Sequence, residues 1–345
     1  MSQPAFPADF ELDLHDLAAI ILDCHARLED RFSKVQLTEV LADSANLQTL
    51  PPHVLPPEWL DAKGYSPNQK RLTYIFRQDS SRTEPVTIDN FAHPDGVKLS
   101  PGLDLNRRTL ENAFWRCKTF NTGWLLAYVA QTVVRSLPRT ARIRARTASG
   151  YEMTCSPLEV MAMEMEVLPH QACCMVVYEP RPDLGPTKVD MAHHFSGFLQ
   201  PMPWIYLCLG EDTCTDPEHS TRVALDLAIQ QIGGRGGAHE LFALERISEY
   251  HERILPRFAQ EYGELILSDT VALSPLDIRK QGDDIVRSVL ERLTKIANGD
   301  HNFCRYCGKD GVETRCSTCK EARFCKECHV SGWKYHKVWC KPAGA

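Results

Sequence analysis

Eight side chains near the C-terminus have the types and spacing to hold metal: Cys304-x2-Cys307-x8-Cys316-x2-Cys319-x5-Cys325-x2-Cys328-x7-His336-x3-Cys340. A Cys-x2-Cys pair folds back as a knuckle that offers two sulfurs to one ion, and zinc takes four such donors in a tetrahedron. Eight donors therefore make two sites for two Zn2+ ions. Seven of the chain's fourteen cysteines lie in this stretch; the other seven (Cys24, Cys117, Cys155, Cys173, Cys174, Cys208 and Cys214) have no regular spacing. A closed four-ligand site has no open position for an activated water, so neither ion is expected to be catalytic. The large apolar groups of this segment are Phe303, Tyr306, Phe324, Trp333, Tyr335 and Trp339, too few for a self-sufficient core, so the metal is read as structural.

The segments CRYC, CSTCKEARFC and CHVSGWKYHKVWC resemble the MYND zinc finger, over Cys304 to Cys340 only. The resemblance implies interleaved sites, with Cys304, Cys307, Cys325 and Cys328 on one ion and Cys316, Cys319, His336 and Cys340 on the other. The chain departs from the family at one point, since two residues rather than three separate the fifth and sixth ligands. The family spacing counted from Cys325 would land on His329, also a capable ligand; counting from Cys328 restores both the gap to His336 and the family tryptophan at Trp333. The family resemblance further implies a peptide-docking module that takes a short strand of the form P-x-L-x-P. The matching peptide-binding positions are Ser317, His329 (where many members have Gln) and Trp333, although Trp333 can equally be read as a buried brace between the ions.

The 345 residues carry 39 Lys+Arg against 45 Asp+Glu, a formal charge of -6, which argues against a general polyanion binder. Residues 301–345 hold nine basic and four acidic residues, +5, leaving -11 for the remainder. Two Zn2+ add four charges and seven thiolates remove seven, so the finger falls to about +2. Its basic residues mostly balance its own ligands, which weighs against nucleic acid as its partner. A second basic feature lies elsewhere: no acidic residue occurs from Asn112 to Tyr151, and Arg135, Arg139, Arg142, Arg144 and Arg146 fall there. A strand over 141–147 places Arg142, Arg144 and Arg146 on one face, open to an acidic or nucleic-acid ligand or paired with the chain's surplus acids.

The elements that must carry the finger read as mixed helix and strand. Apolar residues three or four apart predict helices over 12–28, 107–118, 124–136 and 283–297, the last closed by Asn298-Gly299. Ser33 with Gln36 suggests a capping box for a short helix to Asp43, and helices are also expected over 222–232 and, kinked at Pro256, over 238–262. Strands are expected over 71–77, 143–147, 173–178 and 204–209. Pro51 to Pro57 reads as a rigid proline loop, and Gly233 to Gly237 as a flexible connector. Pro182-Asp183-Leu184-Gly185-Pro186 fits the docking pattern in the chain itself, but turn chemistry explains it as well.

Chemistry outside the finger is thin. Cys173-Cys174 sits in an apolar strand, and His193-His194 and His239-Glu240 lack metal-ligand spacing. The expectation is an α+β fold: a mixed helix/strand domain over 1–298, followed by a small two-zinc module over 303–340. A non-enzymatic adaptor that docks a partner's peptide is the leading reading. The alternatives are a protein-lysine methyltransferase-like enzyme with a MYND finger, or a transcription regulator using the Arg135–Arg146 face. No leader or spanning segment is seen, so an intracellular, cytoplasmic or nuclear location is expected, with cysteines kept as thiols or ligands.

Overall fold

In the computed structural model, residues 6–42, 50, 55–60, 69–181, 183, 185, 188–198, 200–211, 221–273 and 276–342 are described. They form three sheets with helices between them. A short strand β1 (Glu11–Asp13) leads into helix α1 (Leu14–Leu28). Strands β2 (Val35–Ala42), β3 (Lys70–Gln78) and β4 (Lys98–Leu99) surround the single-turn helix α2 (Pro57–Leu60) in sequence. Helices α3 (Arg107–Lys118) and α4 (Gly123–Arg135) precede β5 (Arg142–Arg146) and β6 (Glu152–Cys155). Then come β7 (Val160–Pro169), β8 (Gln171–Pro180), β9 (Val189–Ser196), β10 (Met202–Leu209), β11 (Val223–Asp226) and β12 (Ala243–Arg246). Helix α5 (Ile247–Glu249) continues as a π turn to Ile254, and β13 (Ala259–Ser268), α6 (Leu276–Ala297) and α7 (His329–Trp339) complete the order.

The sheets run β1-β5-β6, β12-β11-β10-β7-β13 and β4-β2-β3-β8-β9. Helices α1, α4 and α6 pack on one another, and α1 also lies on β5. This packing absorbs the apolar stripe of α6: Ile285, Val289 and Leu293 have no exposure, each burial being worth about 1.5–3 kcal/mol. Gly299, at φ +89, ends the helix as Asn298-Gly299 predicted. Asp13 caps α1 by accepting a hydrogen bond from the His15 amide at 3.0 Å.

Three expected helices are not formed. Residues 35–42 are a strand, because Val35, Leu37 and Val40 gain burial by antiparallel pairing with β3, which outweighs a local capping box. Residues 223–226 are a four-residue strand buried on both faces, and only Ile229–Ile232 is helical, as a 3-10 turn ended by Gly233 at φ +75. An apolar run that short has no periodicity to separate helix from strand. Residues 238–262 contain β12, the irregular turns around Pro256 and the start of β13 rather than one kinked helix. The glycine run 233–237 is packed rather than flexible. A Cβ on Gly236 would strike the Phe242 carbonyl oxygen, one on Gly237 would strike the Glu245 carboxylate, and Arg235, which precedes them, is buried. Residues 51–54 of the proline loop, and Pro182, Leu184 and Pro186 of the internal docking pattern, lie outside the described residues.

Candidate metal centre

The finger backbone is built from two similar knuckles. The Gly308 amide donates to the Cys304 carbonyl at 2.8 Å and the Lys320 amide to the Cys316 carbonyl at 3.1 Å; both residues are left-handed, at φ +77 and +62. Tight reversal one residue after each Cys-x2-Cys is what turns two sulfurs toward one point. The third pair, Cys325 and Cys328, runs directly into α7, which carries His336 on its last turns.

Two groups of donor atoms result: Cys304, Cys307, Cys325 and Cys328 in one, and Cys316, Cys319, His336 and Cys340 in the other, with all donor atoms of a group within 4.8 Å of one another. Within the groups, Cys307 and Cys325 lie 3.9 Å apart (Sγ to Sγ), Cys316 and Cys340 3.8 Å, and Cys319 Sγ and His336 Nε2 3.5 Å. A tetrahedron with arms of about 2.3 Å to sulfur and about 2.0–2.1 Å to nitrogen has edges of about 3.8 Å (S to S) and about 3.6 Å (S to N). Each group therefore fits one four-coordinate metal ion. The fourth donor of the first group is Cys328; His329 instead stacks on Trp333, with ring centroids 6.4 Å apart and planes 15° apart. Amides of Cys325 and Thr318 donate to the sulfurs of Cys304 and Cys316 at 3.4 Å each, which favours thiolate. Burial, helped by Arg305 and Arg146, lowers His336 to about 4 and so keeps the imidazole neutral, the form that binds metal.

One side of the finger is fastened to the rest of the chain. Tyr306, with no exposure, accepts a hydrogen bond at its hydroxyl from Arg235 (2.8 Å) and donates to Glu111 (3.1 Å), which also pairs with Arg235 at 2.6 Å. Arg292 of α6 bridges Asp23 of α1 and the Gly308 carbonyl, at 2.8 and 2.5 Å. Tyr335 stacks on His15 (3.8 Å, 9°) and donates to the Arg146 carbonyl at 2.8 Å, while Trp339 donates to the Thr147 carbonyl at 3.0 Å. Arg305 reaches Asp16 at 3.4 Å. Burial alone would raise Asp13, but Arg146, His15, Arg305 and Arg144 outweigh it and hold the carboxyl low; burial wins at Asp16 and raises it despite Arg305.

The opposite side faces solvent. Ser317, His329 and Trp333 are exposed, Trp333 at 38%, and the adjoining Val330 at 74%. Trp333 also touches His336, 5.5 Å between rings, so it covers one metal group while leaving part of the indole free.

The arginine face is occupied by acids. Alternation along β5 does put Arg142, Arg144 and Arg146 on one side, but Arg146 pairs with Asp13 at 2.5 Å, and Arg144 with Glu11 and Asp13 at 2.7 and 3.4 Å. Arg135 donates to the carbonyls of Val160 and Asp269. Cys173 and Cys174 are fully buried and burial pushes both thiols up, which makes them poor nucleophiles. Glu240 is buried 3.3 Å from His15, and His194 packs among Phe32 and Phe120. The residues that hold the finger, Glu111, Arg235, Asp13 and His15 among them, carry no sequence signal of that role, since their partners lie 71 or more residues away. Among the described residues no helix is long and apolar enough to cross a membrane. No family model matches the chain, and no solved structure matches it.

Proposed function

We propose that the chain is a non-enzymatic protein-interaction protein that binds two Zn2+ ions in a MYND-like finger, over 303–340, carried by an α+β unit over 1–298. The exposed face at Ser317, His329 and Trp333 takes an extended, proline-containing peptide of a partner protein. A proline ring packs on the free part of the Trp333 indole while the peptide backbone pairs at the finger's edge. The observation that carries this reading is the division of the finger into two sides: one buried against the body, the other presenting an aromatic stack beside Val330. Zinc is the metal that suits three cysteines and a histidine, or four cysteines, in a closed tetrahedron. The pairing of Arg144 and Arg146 with acids removes the main support for nucleic-acid binding. Among the described residues every cysteine is free, which fits a reducing compartment.

The test uses the full metal-loaded chain. Metal analysis is expected to give two zinc per chain. A P-x-L-x-P peptide is expected to bind in calorimetry and to bind at least about tenfold more weakly to Trp333→Ala, the size of an aromatic anchor's contribution. Equal affinity in the two proteins, or no binding to either, would overturn the peptide assignment.

A further inference from the structure

We propose that the body carries an anion site, on a face unrelated to the finger, that takes a phosphate dianion, either free or as a phosphate monoester. A cavity of about 400 Å3 opens between the β7–β8 turn, the Gly233 turn and the residues that lead into β13. Its wall includes Lys70, His170, Gln171, Gly233, Arg257 and Phe258, and no carboxylate residue. Lys70 and Arg257 are exposed, and among the described residues neither forms an ion pair.

Beneath this wall lies an unusual charge. Among the described residues of the body four lysines and arginines are buried, and three of them face a carboxylate: Lys118 meets Glu29 at 3.4 Å, Arg235 meets Glu111 at 2.6 Å and Arg292 meets Asp23 at 2.8 Å. Arg116, only 2% exposed, is the exception. Its guanidinium donates to neutral acceptors: the Gln171 side-chain oxygen, the Gln171 carbonyl (2.8 Å) and the Gln231 carbonyl (3.2 Å). Those bonds give each of its three nitrogens an acceptor but leave its charge uncancelled in a medium where charge interactions are strong. Both wall residues Gln171 and Gly233 touch it. The Gly233 position is so close that a Cβ there would lie 3.2 Å from Arg116 Nη1 and 3.5 Å from Gln171 Oε1. Glycine thus keeps the cavity floor thin over a buried cation.

A dianion in the cavity meets Lys70 and Arg257 directly and Arg116 through one polarised amide, Gln171, whose oxygen is already committed to the guanidinium. His170 is held at the wall by its Nε2, which donates to the Pro256 carbonyl at 3.0 Å. Phe258 and Pro169 supply an apolar flank suited to the organic part of a monoester.

The experiment titrates the metal-loaded full chain with inorganic phosphate and with phenyl phosphate at constant ionic strength, followed by phosphorus NMR and calorimetry. Saturable one-to-one binding is expected. Tighter binding of phenyl phosphate identifies an organic phosphate as the ligand, and equal binding identifies phosphate itself. Two variants locate the site. Lys70→Ala/Arg257→Ala changes only exposed side chains and is expected to weaken binding by at least about tenfold. Gln171→Glu supplies the missing counter-charge from within, so it is expected to raise the thermal midpoint while also weakening binding by at least about tenfold. Absence of saturable binding below about 10 mM, roughly the weakest affinity a built site would show, overturns the proposal. So does undiminished binding in either variant.

Discussion

The attachment of the finger to the body can be tested at Gly308, which is not a metal ligand. The residue sits at φ +77 with its backbone against α1, where a Cβ would overlap the Ala19 carbonyl oxygen and lie 2.6 Å from its carbon and 2.8 Å from Asp23 Cβ. The obstacle is the backbone of a fully buried helix turn, which cannot move aside as a side-chain tip would. Gly308→Ala therefore carries two costs: about 1–2 kcal/mol for a left-handed alanine and about 1–3 kcal/mol for overpacking. Gly311 provides the control. It lies in the same finger at φ +72 with nothing within 4 Å, so Gly311→Ala carries only the first cost. The difference between the two variants, about 1–3 kcal/mol, isolates contact with α1. Undocking relieves that contact at the loss of the Arg292 to Gly308 hydrogen bond and the Tyr306 network. Calorimetric midpoints, metal content and cleavage at the exposed 298–302 connection are the assays. Both variants should keep their full metal content, with Gly308→Ala melting lower and being cut faster. Equal midpoints and equal cleavage in the two variants would refute the docked arrangement.

Three further outcomes follow from the same geometry. A strong chelator should lower the melting midpoint of the whole chain, because the finger contributes Tyr306 and Tyr335 to packing on the body; an unchanged midpoint and near-ultraviolet dichroism would contradict this. Tyr306→Phe removes the hydroxyl between Arg235 and Glu111 but leaves that ion pair, and should destabilise by about 1–3 kcal/mol in denaturant titrations. Burial, then the neighbouring Glu249, raises Glu245 from 4.5 to about 7. The folded state therefore holds this proton more tightly than the unfolded chain, so the wild type loses stability as pH rises from about 4.5 to about 7, by up to about 3 kcal/mol. Glu245→Gln should lack that loss and be the more stable protein at pH 8, with little difference at pH 4; parallel stability curves for the two proteins would show the reasoning to be wrong.

The metal centre was legible in the primary structure because its information is local. Three Cys-x2-Cys pairs and a His-x3-Cys fall within 37 residues, and knuckle geometry follows from neighbouring backbone. Long amphipathic helices such as α1, α3, α4 and α6 were legible for a similar reason, since 3.6-residue periodicity repeats enough times to be unambiguous. Short buried strands were not: β11 is apolar on both faces for four residues, and β2 becomes a strand only because β3 lies beside it. The choice between Cys328 and His329 as donor also required three dimensions, since both lie within reach along the chain and only the start of α7 turns one sulfur inward and sends the imidazole out to Trp333. Likewise the arginines of β5 share a face by alternation alone, but whether they stand open or neutralised depended on Glu11 and Asp13 arriving from over a hundred residues away. Ligand spacing is a property of adjacent residues and survives in one dimension; packing partners, and with them the charge state of a face, are set by loop closure over long distances that no local pattern encodes.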